Sequence, residues 1–142
     1  MSTNSRFTIA IHVLTLLARS RAEPVTSEYI AASVNTNPVV IRRALAGLRA
    51  ARLVSSQGGN GGGWRLAGDP EDLTLRAVYR AVAKDEALFG LHSRPPNPNC
   101  PVGRHIQDAL ASPFAAASRA MEDELDHTTV ADVLRAVHAR AG

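Results

Sequence analysis

A chain of 142 residues with 45% hydrophobic and 20% charged side chains can build one core, and its composition excludes wholesale disorder. Aromatics make up only 4%, so the core must be aliphatic, and the single cysteine, Cys100, excludes an intrachain disulfide framework. The net charge of +3 is uneven: residues 1–67 carry eight arginines against two carboxylates, residues 68–142 eight basic against eleven acidic groups, so either the first half meets an anionic partner or arginine is unevenly spread over a solvated surface.

From Phe7 to Ala18 apolar residues surround the predicted helix instead of forming one stripe. Such a helix is buried on several sides, which in so small a chain hints at a partner chain. Arg6 before this run faintly suggests a signal peptide, but His12 and two threonines interrupt it and Arg19 and Arg21 follow closely. The run is too short to span a bilayer. A cytoplasmic protein with no membrane partner is expected.

Glu23-Pro24-Val25-Thr26 reads as a turn, with Thr26 as N-cap of a short helix to about Val34. Asn37-Pro38 then opens another helix, Asn37 as cap and Pro38 at the first helical position, where its missing N–H costs nothing. Ile41, Leu45 and Leu48 recur at i, i+4 and i+7 and form its buried face. Val39, Arg42, Arg43, Ala46 and Arg49 lie on the other side.

Leu53–Ser56 and Trp64–Ala67 read as strands, with Trp64 and Leu66 on one face and Arg65 on the other. Between them, Ser56 to Gly63 holds five of the ten glycines. A P-loop would need lysine and Ser/Thr after its last glycine, but Trp64 follows Gly63 and the sole lysine is Lys84. A linker would not be bracketed by matched apolar strands. A hairpin turn remains, whose glycines permit positive φ and close approach to a phosphate backbone or minor groove. An ordinary turn that touches nothing is the alternative.

Asp69-Pro70 ends this unit, and Leu75, Val78, Tyr79 and Val82 make a short amphipathic helix capped near Leu73-Thr74. Residues 84–101 form a Pro-rich loop, with three of the eight prolines between 95 and 98. From Val102 a single apolar stripe runs through Ile106, Leu110, Phe114, Ala117 and Met121 to Leu125, with Pro113 expected to kink the helix. Thr129 and Asp132 mark a last helix start in capping-box style.

The order helix, helix, turn, helix, two strands, helix matches a winged helix-turn-helix, so the expected fold is mainly α with a small β-hairpin. In that design the helix opened by Asn37-Pro38 enters the major groove, and its first residues face base edges. Val39, Val40, Arg42 and Arg43 are the candidate readers, arginine for guanine and valine for a thymine methyl. Arg49, Arg52 and Arg65 are candidate phosphate contacts, and Gly59, Asn60 and Gly61 form the wing tip. The alternative is that Arg42 and Arg43 merely solvate an exposed face. No nucleophile–base pair, carboxylate dyad or metal motif appears at interpretable spacing, so no enzymatic activity is expected.

Asn37-Pro38-Val39-Val40-Ile41-Arg42-Arg43, Leu48-Arg49-Ala50-Ala51-Arg52-Leu53-Val54 and Gly61-Gly62-Gly63-Trp64-Arg65-Leu66-Ala67 resemble the IscR/NsrR-like (Rrf2) family of bacterial transcriptional regulators. Leu73-Thr74-Leu75 through Val82, and Pro96-Asn97-Pro98-Asn99-Cys100-Pro101-Val102-Gly103, look most like its YwnA-like branch. The resemblance implies a homodimer joined through the long C-terminal helix, with the first helix near that joint. Three parts follow: a winged helix-turn-helix DNA-binding domain over 1–83, the Pro-rich loop over 84–101, and the dimerisation helix with a C-terminal helix over 102–142. The implied function is a sequence-specific regulator, a repressor on a pseudo-palindromic double-stranded DNA site. The rival reading is an effector- or protein-binding module that has kept the fold and lost sequence-specific DNA reading.

Two positions depart from the family pattern. Many members hold an iron–sulfur cluster on three cysteines in the loop before the dimer helix. With Cys100 alone, against about four ligands needed, no cofactor is expected. Gly58 stands where the family's wing often has arginine. Cys100 would itself cap the long helix, whose dipole favours a thiolate, so it is either a redox sensor answering an oxidant or an inert packed cap. A small-molecule effector is the other signal considered. His92, Cys100 and His105 fit no usual zinc spacing, and no metal site is expected.

Overall fold

The computed structural model describes residues 3–83 and 87–142. Six helices and one hairpin follow in the order α1 (Thr3–Arg19), α2 (Ser27–Val34), α3 (Pro38–Ala50), β1 (Val54–Gln57), β2 (Gly63–Leu66), α4 (Leu75–Val82), α5 (Pro101–Leu125) and α6 (Val130–Ala141), with a single 3-10 turn at Pro70–Asp72.

Local chemistry sets most of these limits. The Thr26 hydroxyl accepts from Tyr29 N–H at 3.2 Å and starts α2, which ends at Asn35 in the left-handed region, φ 59°. Asn37 Oδ1 accepts from Val39 N–H at 2.8 Å with Pro38 beside it, so α3 begins where its sequence signal lies. Thr74 caps α4 through Ala77 N–H. At α6 the capping box is complete: Thr129 N–H donates to Asp132 at 2.9 Å, and Asp132 N–H to Thr129 at 3.1 Å. Asp69 caps the 3-10 turn that Pro70 opens. Helix α5 is unbroken through Pro113.

The core is aliphatic, as the composition requires. Val13, Leu14 and Leu17 of α1, Ile30 of α2, Ile41, Leu45 and Leu48 of α3, Val78 of α4 and Val130 of α6 are buried in one cluster. Helix α1 lies at its centre and packs against α2, α3, α4, β2 and α6. The all-round apolarity of α1, which by sequence hints at a partner chain, is covered in large part within one chain, with Phe7, Ile9 and Ile11 left partly exposed. Helix α6 shares this core through Val130, so the end of the chain packs with the first 83 residues. The backbone fastens it there: Val130 N–H donates to Leu73 C=O at 2.8 Å and Leu75 N–H to Thr128 C=O at 2.9 Å.

Strands β1 and β2 pair antiparallel, Val54 opposite Leu66 and Gln57 opposite Gly63. The segment expected as a plain turn adds a bridge to β2, because Val25 exchanges both backbone hydrogen bonds with Trp64, at 2.9 and 2.8 Å. This explains Gly63. Its φ is +149°, and a Cβ there would lie 2.6 Å from Val25 O. The irregular stretch expected over 84–101 is seen from Ala87 to Cys100, with 84–86 outside the described residues.

Candidate nucleic-acid interface

Helices α2 and α3 are joined by Asn35-Thr36-Asn37, a helix-turn-helix, and the hairpin follows at once. With Ile41, Leu45 and Leu48 anchored in the core, the opposite face of α3 is fixed outward. Val39, Arg42, Arg43, Ala46, Arg49 and Ala50 are exposed there, and Val39 keeps 41% of its surface in solvent. Val40 does not share that face. One residue turns a helix by about 100°, which carries Val40 to a half-buried flank beside Ala44 and Gly47.

The arginines divide into two groups. Arg42, Arg43 and Arg52 make no side-chain hydrogen bond or ion pair among the described residues. Arg49 and Arg65 are committed to the protein. The Arg49 guanidinium lies over the Trp64 ring, 5.5 Å from its centroid, and approaches Ser56 Oγ at 3.4 Å. Arg65 donates to the Arg21 carbonyl at 3.0 Å, and Arg21 to the Gly68 carbonyl at 3.1 Å. Both lie beside the candidate surface and fasten the wing to the rest of the unit.

Trp64, Ser27 and Ser56 complete this fastening and were not singled out by sequence. The Trp64 indole N–H donates to Ser27 Oγ at 3.2 Å while its face meets Arg49. The available signal was the residue itself: a lone half-buried tryptophan requires an acceptor for its N–H.

Arg52 holds an unusual backbone position, φ +63°. It ends α3 in a Schellman arrangement, with Leu53 N–H bonded to Leu48 C=O at 2.9 Å and Arg52 N–H to Arg49 C=O at 2.9 Å. Glycine normally fills that position, because a side chain in the left-handed region costs about 1 kcal/mol or more. At the wing tip Gly59 and Gly61 have φ of 81° and 75°, with Asn60 exposed between them. A Cβ on Gly62 would lie 2.2 Å from Gln57 O, so the turn is tight. Gly58 has no such constraint, and a Cβ there meets nothing within 4 Å.

The other end of the chain is differently charged. Arg80 binds Glu122 at 2.7 Å, and Arg76 lies 3.7 Å from Glu122 and 3.8 Å from Asp126, tying α4 to α5. Arg135 pairs with Glu71 and, at 2.6 Å, with Asp132. The Thr129 backbone N–H and then Arg135 hold the Asp132 carboxyl below its ordinary value of 3.8, and Glu71 and then Asp132 raise Arg135 above the usual arginine range.

Cys100 occupies the N-cap position of α5 with Pro101 at N1, as expected, but its side chain makes no capping bond and is exposed rather than packed. His92 Nδ1 lies 3.3 Å from Gln107 Nε2 and His105 is exposed. Among the described residues no three of His, Cys, Asp and Glu converge on a metal position. An iron–sulfur cluster needs about four ligands, and this donor set does not fit one. No helix among the described residues is long and apolar enough to cross a membrane.

A helix-turn-helix with an exposed second helix and a glycine-rich hairpin beside it defines a winged-helix DNA-binding fold. The chain belongs to the Rrf2 family, described as iron-dependent transcriptional regulators, which matches residues 3–136, and it is a DNA-binding regulator rather than an enzyme. It is 49% identical over 131 residues to YwnA of Bacillus subtilis (strain 168), provisionally an HTH-type transcriptional regulator, covering 92% of this chain and 96% of that protein. A crystal structure of a protein provisionally described as DNA-binding is 43% identical, with a TM-score of 0.73 and coverage of 91% and 98%. CymR of B. subtilis, described as the global cysteine regulator, shares the fold at 19% identity, with a TM-score of 0.67 and 95% of each chain covered.

Proposed function

We propose that this chain is a homodimeric repressor that reads a pseudo-palindromic DNA site, with one α3 in each of two successive major grooves about 34 Å apart. The observation that carries this reading is the exposed face of α3, where Arg42 and Arg43 have no partner among the described residues and stand beside Val39. Arg42 and Arg43 read bases with Val39, Val40 flanks them, Arg52 meets phosphate, and Gly59, Asn60 and Gly61 follow the backbone. Arg49 and Arg65 reach phosphate with the donors their protein contacts leave over, since a guanidinium has five.

The dimer reading is supported by α5. This helix of 25 residues has none buried, and Val102 is 68% exposed. Ile106, Leu110, Phe114, Met121 and Leu125 are only half-buried along the stripe. In this reading residues 1–83 bind DNA, α5 forms the dimer contact, and the protein works in the cytoplasm without an iron–sulfur cluster. Cys100, exposed at the start of α5, is the place where an oxidant would act. If Cys100→Ser leaves the oxidant response of DNA binding unchanged, that role is removed.

The test is titration of the reduced protein onto duplex from upstream of its own gene and onto a scrambled duplex, at near-physiological salt. At least about a thousandfold preference for the native duplex is expected. Equal, weak binding to both, with little salt dependence, would favour a binding module that has lost DNA reading.

A further inference from the structure

Helices α1, α3 and α4 diverge on the flank to which Val40 turns. The cleft between them has a volume of about 480 Å³, within the range of small-molecule sites. Ile9, Val40 and Val82 give it an apolar lining, and Arg6 and Arg43 stand in its wall. None of the described residues lining it is acidic.

Gly47 also lines this cleft, in the interior of α3. Glycine there weakens a helix by about 1 kcal/mol relative to alanine. Packing does not require it, because a Cβ at this position would meet nothing within 4 Å. Its effect is to leave the cleft open. An apolar lining with the Arg43 guanidinium in the wall suits a carboxylate on a hydrocarbon or aryl body, since the planar guanidinium fork matches a carboxylate in a bidentate pair.

We propose that this cleft is an effector site for a small monocarboxylate with an apolar body, and that the ligand acts by engaging Arg43. Resting on the DNA-reading role proposed above, the inference gives that role its control. A ligand that draws the Arg43 side chain into the cleft takes it away from the base edge, so the ligand and DNA oppose each other. By linkage each weakens the other's binding by the same factor.

The test uses the full chain without DNA first. Octanoate, phenylacetate and benzoate, each with its uncharged amide, are titrated while backbone amide resonances are followed. At least one carboxylate is expected to shift Val40, Arg43, Gly47 and Ala81 together, while its amide does not. Gly47→Leu fills the cleft and should abolish this binding; Gly47→Ala should weaken it while raising the melting temperature, which controls for misfolding. Saturating carboxylate should then weaken binding to the native duplex by about 5–150-fold in the unmodified protein and leave Gly47→Leu unaffected. The proposal is overturned if no carboxylate binds up to about 10 mM, if both Gly47 variants fold and bind it unchanged, or if binding leaves DNA affinity unaltered. Carboxylate binding by a protein that prefers no duplex would instead keep the cleft and reject the DNA-reading role.

Discussion

Arginine does different work in the two halves of this molecule. In the helix-turn-helix and wing, Arg42, Arg43 and Arg52 have no partners among the described residues, and Arg49 and Arg65 contact a tryptophan face, a hydroxyl and a carbonyl. Around α4, α5 and α6 the guanidinium groups of Arg76, Arg80 and Arg135 face Glu71, Glu122, Asp126 and Asp132. A surface ion pair with its partner in place adds about 0–1 kcal/mol of stability and has little further to offer an incoming anion. Uncompensated guanidinium groups on a fixed helix add little to the fold, but they attract phosphate and satisfy base edges. Net charge alone is a poor guide to this difference; what sets Arg76, Arg80 and Arg135 apart from Arg42, Arg43 and Arg52 is a carboxylate within 4 Å.

Four substitutions break or sharpen this contrast. The largest effect is expected of Arg43→Ala, about 1–3 kcal/mol or on the order of 5- to 150-fold in affinity for the native duplex, with relaxed specificity. Duplexes altered one base pair at a time check it, and a uniform loss on all of them would reassign Arg43 to phosphate.

Arg52→Gly should move two quantities in opposite directions. Removing the left-handed side chain stabilises the fold by about 1 kcal/mol, read by urea melting. DNA binding should weaken on every sequence, and its salt slope should fall by about one. A stable variant with unchanged DNA binding would place Arg52 outside the interface.

Glu122→Gln removes the negative charge between Arg76 and Arg80. The expected loss is about 0–1 kcal/mol of stability, with DNA affinity unchanged. An effect on DNA binding as large as that of Arg43→Ala would erase the distinction between the halves.

At neutral pH Asp132 should show no pH response. Its folded-state carboxyl lies below the ordinary 3.8, so its contribution is fully present above that value. It is lost as pH falls through the lower folded value. Melting curves of the wild type and Asp132→Asn should therefore converge only in strong acid, and convergence already near neutral pH would contradict the capping geometry.

Much of the fold is written in short stretches of sequence. Asn37-Pro38, Thr26, Thr74 and the Thr129–Asp132 pair each start a helix where the residues indicate, because a cap needs partners only two or three positions away. The periodic Ile41, Leu45 and Leu48 likewise give the buried face of α3. The wing was legible as a turn, but its fastening by Trp64, Ser27 and Arg49 was not, since those residues are brought together from three separate elements. Helix α1 shows the same limit: its apolar surface signals burial on several sides, and packing supplies the cover from α2, α3, α4, α6 and β2.

The sequence by itself determined the helices, the hairpin and the outward placement of Arg42 and Arg43, because those features depend on hydrogen bonds and periodicity within one or two turns. Only the tertiary structure decided which arginines remain without partners, that Val40 turns to a cleft beside Gly47, and that Val25 requires a glycine at position 63. Electrostatic pairing and close backbone approach depend on distances in space, and those distances exist only once the helices have packed.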